Sequence, residues 1–137
     1  MRYLADTVYL IDLVNGDEGA VALAKELDEI GEPVGLSTIS AEEYFRGVFY
    51  LYWDDERVLK AKLADARRDL SAFEILPITY DIAVKAAEVE VATVKNGVMI
   101  SLADILIASS AISHDSTLIT RNVKHFQRVP KLNIRSY

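Results

Sequence analysis

The 137-residue chain contains no cysteine. That excludes a disulfide framework and a zinc–thiolate site, and it fits a reducing cytoplasm. No apolar run approaches the ~18 residues of a membrane-spanning helix, so no membrane contact is expected. Asp6 already belongs to a polar, helix-opening segment, so no secretory leader is expected. Repeats, linkers and low-complexity tracts are missing as well. Positive charge is in short supply: 15 Lys and Arg stand against 21 Asp and Glu, a formal net charge of −6. Such a balance opposes tight nonspecific binding of polynucleotide, which depends on phosphate neutralisation. The opposition weakens if several acids surround a cation that itself meets the phosphate. With 51% hydrophobic residues, 137 positions suffice for one ordinary domain, 1–137, burying roughly two-thirds of its unfolded surface.

Short apolar runs alternate with amphipathic stretches. Strands are expected over 2–5, 33–36, 73–76 and 117–119, with a fifth at 132–134. Helices are expected over 8–14, 17–30, 37–53, 55–70, 81–95 and 102–113. Ala20, Leu23, Leu27 and Ile30 recur at helical spacing and Gly31 suits the end of that helix; Ile82, Ala86, Val89 and Thr93 form a second stripe, closed by Asn96-Gly97. Strand–helix alternation predicts an α/β fold with a mostly parallel sheet, and in such sheets ligands bind beyond the carboxyl ends of the strands.

Four segments place an acid or amide near a helix start after an apolar run: Tyr3-Leu4-Ala5-Asp6-Thr7, Ser40-Ala41-Glu42-Glu43, Ser101-Leu102-Ala103-Asp104 and Leu118-Ile119-Thr120-Arg121-Asn122. If the fold brings them together, Asp6, Glu43, Asp104 and Asn122 surround one point with oxygen atoms. Oxygen donors suit a hard divalent cation such as Mg²⁺ or Mn²⁺. Each segment also has a purely structural reading. Asp6 can N-cap a helix, Ser40 to Glu43 and Ser101 to Asp104 match capping boxes, and Thr120 can cap the last turn.

The four segments, in this order and spacing, resemble the PIN-domain family, and within it the VapC-type toxin ribonucleases. The opening matches through Leu4-Ala5-Asp6-Thr7-Val8-Tyr9-Leu10-Ile11-Asp12-Leu13, the second motif through Glu43-Tyr44-Phe45-Arg46-Gly47. The third matches through Ser101 to Ala111 and the last through Leu118 to Phe126. Two departures stand out: Val8 replaces a common Asn or Ser, and Asn122 replaces a common Asp.

The resemblance implies a three-layer α/β/α sandwich with a mostly parallel sheet of four to five strands. It implies Mg²⁺- or Mn²⁺-assisted hydrolysis of RNA, with Asp6 and Asp104 as direct ligands. Glu43 would bind through water or orient the nucleophile, and Asn122 would hold the water shell. Thr120 is the candidate hydroxyl behind a carboxylate, and Arg46, Arg121 and Lys124 are candidate contacts to substrate phosphate. A VapB-like antitoxin and a second copy of the chain are the implied partners. Two rivals remain within the family: an RNA-processing nuclease without an antitoxin, and a PIN-like RNA-binding module without turnover. A haloacid-dehalogenase-type phosphatase is discarded, because it needs a second Asp where Val8 stands.

His114 and His125 lack a second ligand at useful spacing and receive no role. Asp12 and Asp115 are candidate auxiliary acids whose default is exposure. The run Tyr44, Phe45, Phe49, Tyr50, Tyr52, Trp53 cannot all face one core stripe, so an exposed apolar patch serving as an interface is expected.

Overall fold

The computed structural model describes residues 2–137. Five short strands, β1 (Tyr3–Ala5), β2 (Val34–Ser37), β3 (Glu74–Leu76), β4 (Thr117–Ile119) and β5 (Ile134–Arg135), form one sheet in the order β3-β2-β1-β4-β5. Every pairing is parallel. The helices are α1 (Thr7–Val14), α2 (Glu18–Glu29), α3 (Thr38–Tyr52), α4 (Glu56–Leu70), α5 (Tyr80–Lys95), α6 (Leu102–Ser113) and α7 (Val123–Phe126).

Alternation along the strands sends neighbouring residues to opposite faces. Leu4 and Leu118 join Ala86, Val89, Ile105, Ile107 and Ala108 on the face covered by α5 and α6. Ala5 and Ile119 join Tyr9, Leu10, Leu23, Leu27, Leu36 and Leu70 on the face covered by α1, α2 and α4. Three layers result, with an apolar core on each side of the sheet.

Helix boundaries follow local chemistry. Asp17 accepts from Ala20 N at 3.0 Å, Asp55 from Val58 N at 3.1 Å and Thr79 from Ile82 N at 3.2 Å, each satisfying an N–H that the first helical turn leaves open. Gly31 and Gly97 adopt φ of 70° and 75° just beyond α2 and α5, a left-handed conformation that costs a Cβ-bearing residue energy.

Three expectations shift. The helix after β2 is capped by Ser37, whose Oγ accepts from Ile39 N at 3.1 Å, so Ser40 and Glu43 lie inside α3 and form no capping box. Phe73 sits in the turn after α4, donating its N–H to Leu70 O, and β3 begins one residue later. The fifth strand begins at Ile134, because Lys131 takes a left-handed φ of 66° and delays the extended backbone.

Candidate active site

Strands β1 and β4 lie side by side with Ala5 opposite Ile119. The residues that follow are therefore neighbours at the carboxyl edge of the sheet. Asp6 N donates to Ile119 O at 2.9 Å, and Thr120 Oγ1 donates to Asp6 Oδ2 at 2.9 Å. The other carboxylate oxygen, Oδ1, accepts from Thr7 N at 2.8 Å as α1 begins. Strand order turns back at β1 and β4, the switch point where open α/β sheets leave a crevice.

Asp6 is only 3% exposed, yet no cationic side chain among the described residues pairs with it. Burial is the largest influence and raises its pKa; the bonds from Thr120 and Thr7 oppose that, while the charges of Asp104 and Glu43 add to it. The outcome is a carboxyl pushed up from 3.8 to about 6. That Asp104 and Glu43 are both felt at Asp6 places three acids from separate elements around one region. Among the described residues, no three His, Asp or Glu side chains close into a finished metal cage.

Glu43 lies on the second turn of α3 and is half-buried. Thr7 Oγ1 donates to its Oε1 at 2.7 Å and lies 2.9 Å from the buried Ser40 Oγ. Thr7 carries no sequence-based role and Ser40 only the capping one that the fold removes, although both sit within the four segments. Asp104 occupies the first turn of α6, whose cap Ser101 Oγ accepts from Asp104 N at 3.3 Å. Its Oδ2 lies 2.8 Å from His125 Nε2. His125, to which the sequence assigned no role, thus meets Asp104 because α7 folds back against α6, a contact no local spacing encodes. His114 is the exposed C-cap of α6.

Asn122 is exposed and opens α7, but its side chain makes no cap hydrogen bond; its N–H donates to Thr120 Oγ1 at 3.0 Å. Thr120 therefore joins Asp6 to the start of α7. The basic residues differ in their freedom. Arg46 pairs with Glu42 one helical turn away, its Nε 2.8 Å from Oε1. Arg121 lies 2.9 Å from Asp17 Oδ1 and 3.3 Å from Asp12 Oδ2, with its guanidinium over the Tyr137 ring. Tyr137 also donates to Asp12, so Asp12 is half-buried rather than exposed. Lys124 is exposed on α7, as is Asp115, which takes a φ of 52° just past the end of α6.

The aromatic run divides as expected. Tyr44 turns inward, donating to Asp69 at 2.9 Å, and burial raises its pKa to about 12. Tyr50 and Trp53 are 87% and 70% exposed. A groove of about 630 Å³ runs between α1, α3 and α4, lined by Ile11, Val14, Val48 and Leu51 on one side and by Lys62, Asp65, Arg68 and Asp69 on the other, and it reaches Glu43.

Fold and site together define an α/β protein with an acidic centre at the switch point of a parallel sheet. The chain belongs to the PIN domain family, whose sequence profile matches residues 3–132. It is 30% identical over 136 residues to Ribonuclease VapC1 of Methanocaldococcus jannaschii, covering 99% of this chain and 87% of that protein. It is 26% identical over 137 residues to Ribonuclease VapC2 of Rickettsia felis, covering 100% and 98%. The crystal structure of VapBC2 from Rickettsia felis, bound to a DNA fragment from their promoter, matches with a TM-score of 0.83 at 26% identity, over 100% of this chain and 99% of that one.

Proposed function

We propose that this chain is a divalent-cation-dependent endoribonuclease, the toxin of a VapBC-type toxin–antitoxin pair. One observation carries the reading: Asp6 is buried without a cationic partner and faces the charges of Asp104 and Glu43. A buried carboxylate that ends up uncompensated is costly unless something positive joins it. The donor set is all oxygen and fits Mg²⁺ or Mn²⁺. Kinship with proteins named as VapC ribonucleases supports RNA as the substrate.

Asp6 and Asp104 would hold the cation, with Glu43 and Asn122 beside it. When bound, such a cation supplies positive charge at the scissile phosphate and lowers the pKa of an attacking water. The protein's own groups do the rest. Thr120 and Thr7 N fix both oxygens of Asp6 and the Thr7 hydroxyl fixes Glu43; Asp6 stands between β1 and α1, Asp104 in the first turn of α6 and Glu43 in the second turn of α3. Lys124 is the basic residue open to a substrate phosphate, whereas Arg46 and Arg121 must first leave their acidic partners.

The groove between α1, α3 and α4, apolar on one side and charged on the other, suits an amphipathic antitoxin segment reaching toward Glu43, and the exposed Tyr50 and Trp53 at the end of α3 offer it further apolar surface. A homodimer would cover the second exposed strip, Tyr80, Val84, Val91 and Val94 on α5 with nearby Leu102. Sedimentation at micromolar concentration tests that, and a monomer would remove it.

The activity is tested by following cleavage of a mixed RNA pool while Mn²⁺ is added to the native chain and to Asp104→Asn. Cation-dependent cleavage by the native chain alone is expected. Equal cleavage by both proteins excludes the assigned centre, and cation binding without cleavage favours the non-catalytic module.

A further inference from the structure

Each of the three acids receives one side-chain donor. Thr120 serves Asp6, Thr7 serves Glu43, and His125 serves Asp104. The first two donors are hydroxyls, which orient a carboxylate without cancelling its charge. The third is an imidazole, which does the same only if it carries a single proton, placed on the correct nitrogen.

Arg128 decides that placement. Its Nη2 lies 2.6 Å from His125 Nδ1, and its Nε donates to the His125 carbonyl at 3.0 Å. A guanidinium has five N–H donors and no acceptor. The nitrogen it faces must therefore present a lone pair, which leaves the ring proton on Nε2, 2.8 Å from Asp104 Oδ2. The buried Phe126 ring meets the imidazole edge-on with centroids 5.0 Å apart and anchors the turn that carries it.

We propose that His125, held as its Nε2–H tautomer by Arg128, is a positioning residue that ties one oxygen of Asp104 and leaves the other for the cation. The inference rests on Asp104 being a cation ligand. Partners of this kind orient ligating groups elsewhere, and their loss weakens metal binding. A purely structural His125 would act through the packing of α7, and a ring of equal size would replace it.

The test is titration calorimetry of Mn²⁺ into the metal-free chain, comparing the native sequence with Asp104→Asn, His125→Phe and His125→Gln. Asp104→Asn should abolish measurable binding. His125→Phe keeps the ring and should weaken binding about tenfold; His125→Gln, whose amide nitrogen reaches the Nε2 position, should restore most of it. Nitrogen-15 NMR of the metal-free native chain should show His125 as the Nε2–H tautomer. If His125→Phe fails to fold, Arg128→Met replaces it, and should both weaken Mn²⁺ binding and release the tautomer.

Native-like Mn²⁺ affinity in His125→Phe, with binding lost in Asp104→Asn, overturns the positioning role and spares the site. So does an Nδ1–H tautomer in the native chain, or an unchanged tautomer and affinity in Arg128→Met. Native-like affinity in Asp104→Asn overturns the site and this inference with it.

Discussion

The side chain of Asp6 combines burial, a negative charge at neutral pH and two hydrogen bonds from neutral donors. The donors do not offset the burial, so its folded pKa of about 6 stands above the ordinary 3.8. An acid raised in this way favours the folded state when protonated. That contribution is complete below the unfolded value and is lost as pH rises through the folded one. In the metal-free chain, Asp6→Asn should therefore raise stability at pH 7.5 by up to ~3 kcal/mol, the worth of the shift. The gain should fade toward pH 4, as thermal unfolding across that range would show, while RNA cleavage is lost. Thr120→Val should act in the opposite direction. It keeps the shape but strips the partner from Asp6 Oδ2 and from Asn122 N, at a cost of about 1–3 kcal/mol in urea unfolding.

Helix ends and short strands set where these side chains stand. Ser37 starts α3 early enough to carry Glu43 onto its second turn, within reach of Thr7 on α1. Ser101 starts α6 so that Asp104 lies in its first turn, where the helix dipole favours a negative charge. Gly97 closes α5 before the chain leads into α6, and open space surrounds the position where a Cβ would stand. Gly97→Ala should therefore show backbone strain without a clash, about 1 kcal/mol in denaturant unfolding with the site intact. A much larger loss would mean that the turn is packed more tightly than its surroundings imply.

Charge and apolar surface describe the whole molecule. A net charge of −6 leaves little general attraction for a polyanion. RNA binding should therefore be weak in EDTA and strengthen markedly with Mg²⁺ or Mn²⁺, as filter binding at fixed ionic strength would report. Strong binding in EDTA would show that basic side chains alone hold the substrate. The exposed apolar residues concentrate in two places, around Tyr50 and Trp53 and along α5, and no helix among the described residues is long and apolar enough to cross a membrane. Tyr50→Glu should reduce antitoxin affinity at least ~10-fold, since exposed aromatics are frequent anchors at interfaces. Its melting temperature should stay near the native one, because Tyr50 adds nothing to the core.

Alternation of apolar runs and helical stripes was enough to foretell a parallel α/β fold, because strand and helix periods are local properties of the chain. Asp6 and Asp104 stood out for the same reason: each begins a helix that its neighbours announce. Of the partners of these acids, the resemblance foretold only Thr120, as a hydroxyl behind a carboxylate; which acid it serves, and the parts of Thr7 and His125, were hidden. Thr7 meets Glu43, Thr120 meets Asp6 and His125 meets Asp104 across 36, 114 and 21 positions. Such pairs depend on which strands lie side by side and on how α7 folds back over α6. The pairing of Arg121 with Asp12 and Asp17 was hidden likewise, since a basic residue beside a motif looks identical whether it meets solvent or an acid. Sequence set the periodicity and the chemical types; only packing of distant segments decided which side chains touch, because hydrogen bonds act over a few ångströms in space whatever the separation along the chain.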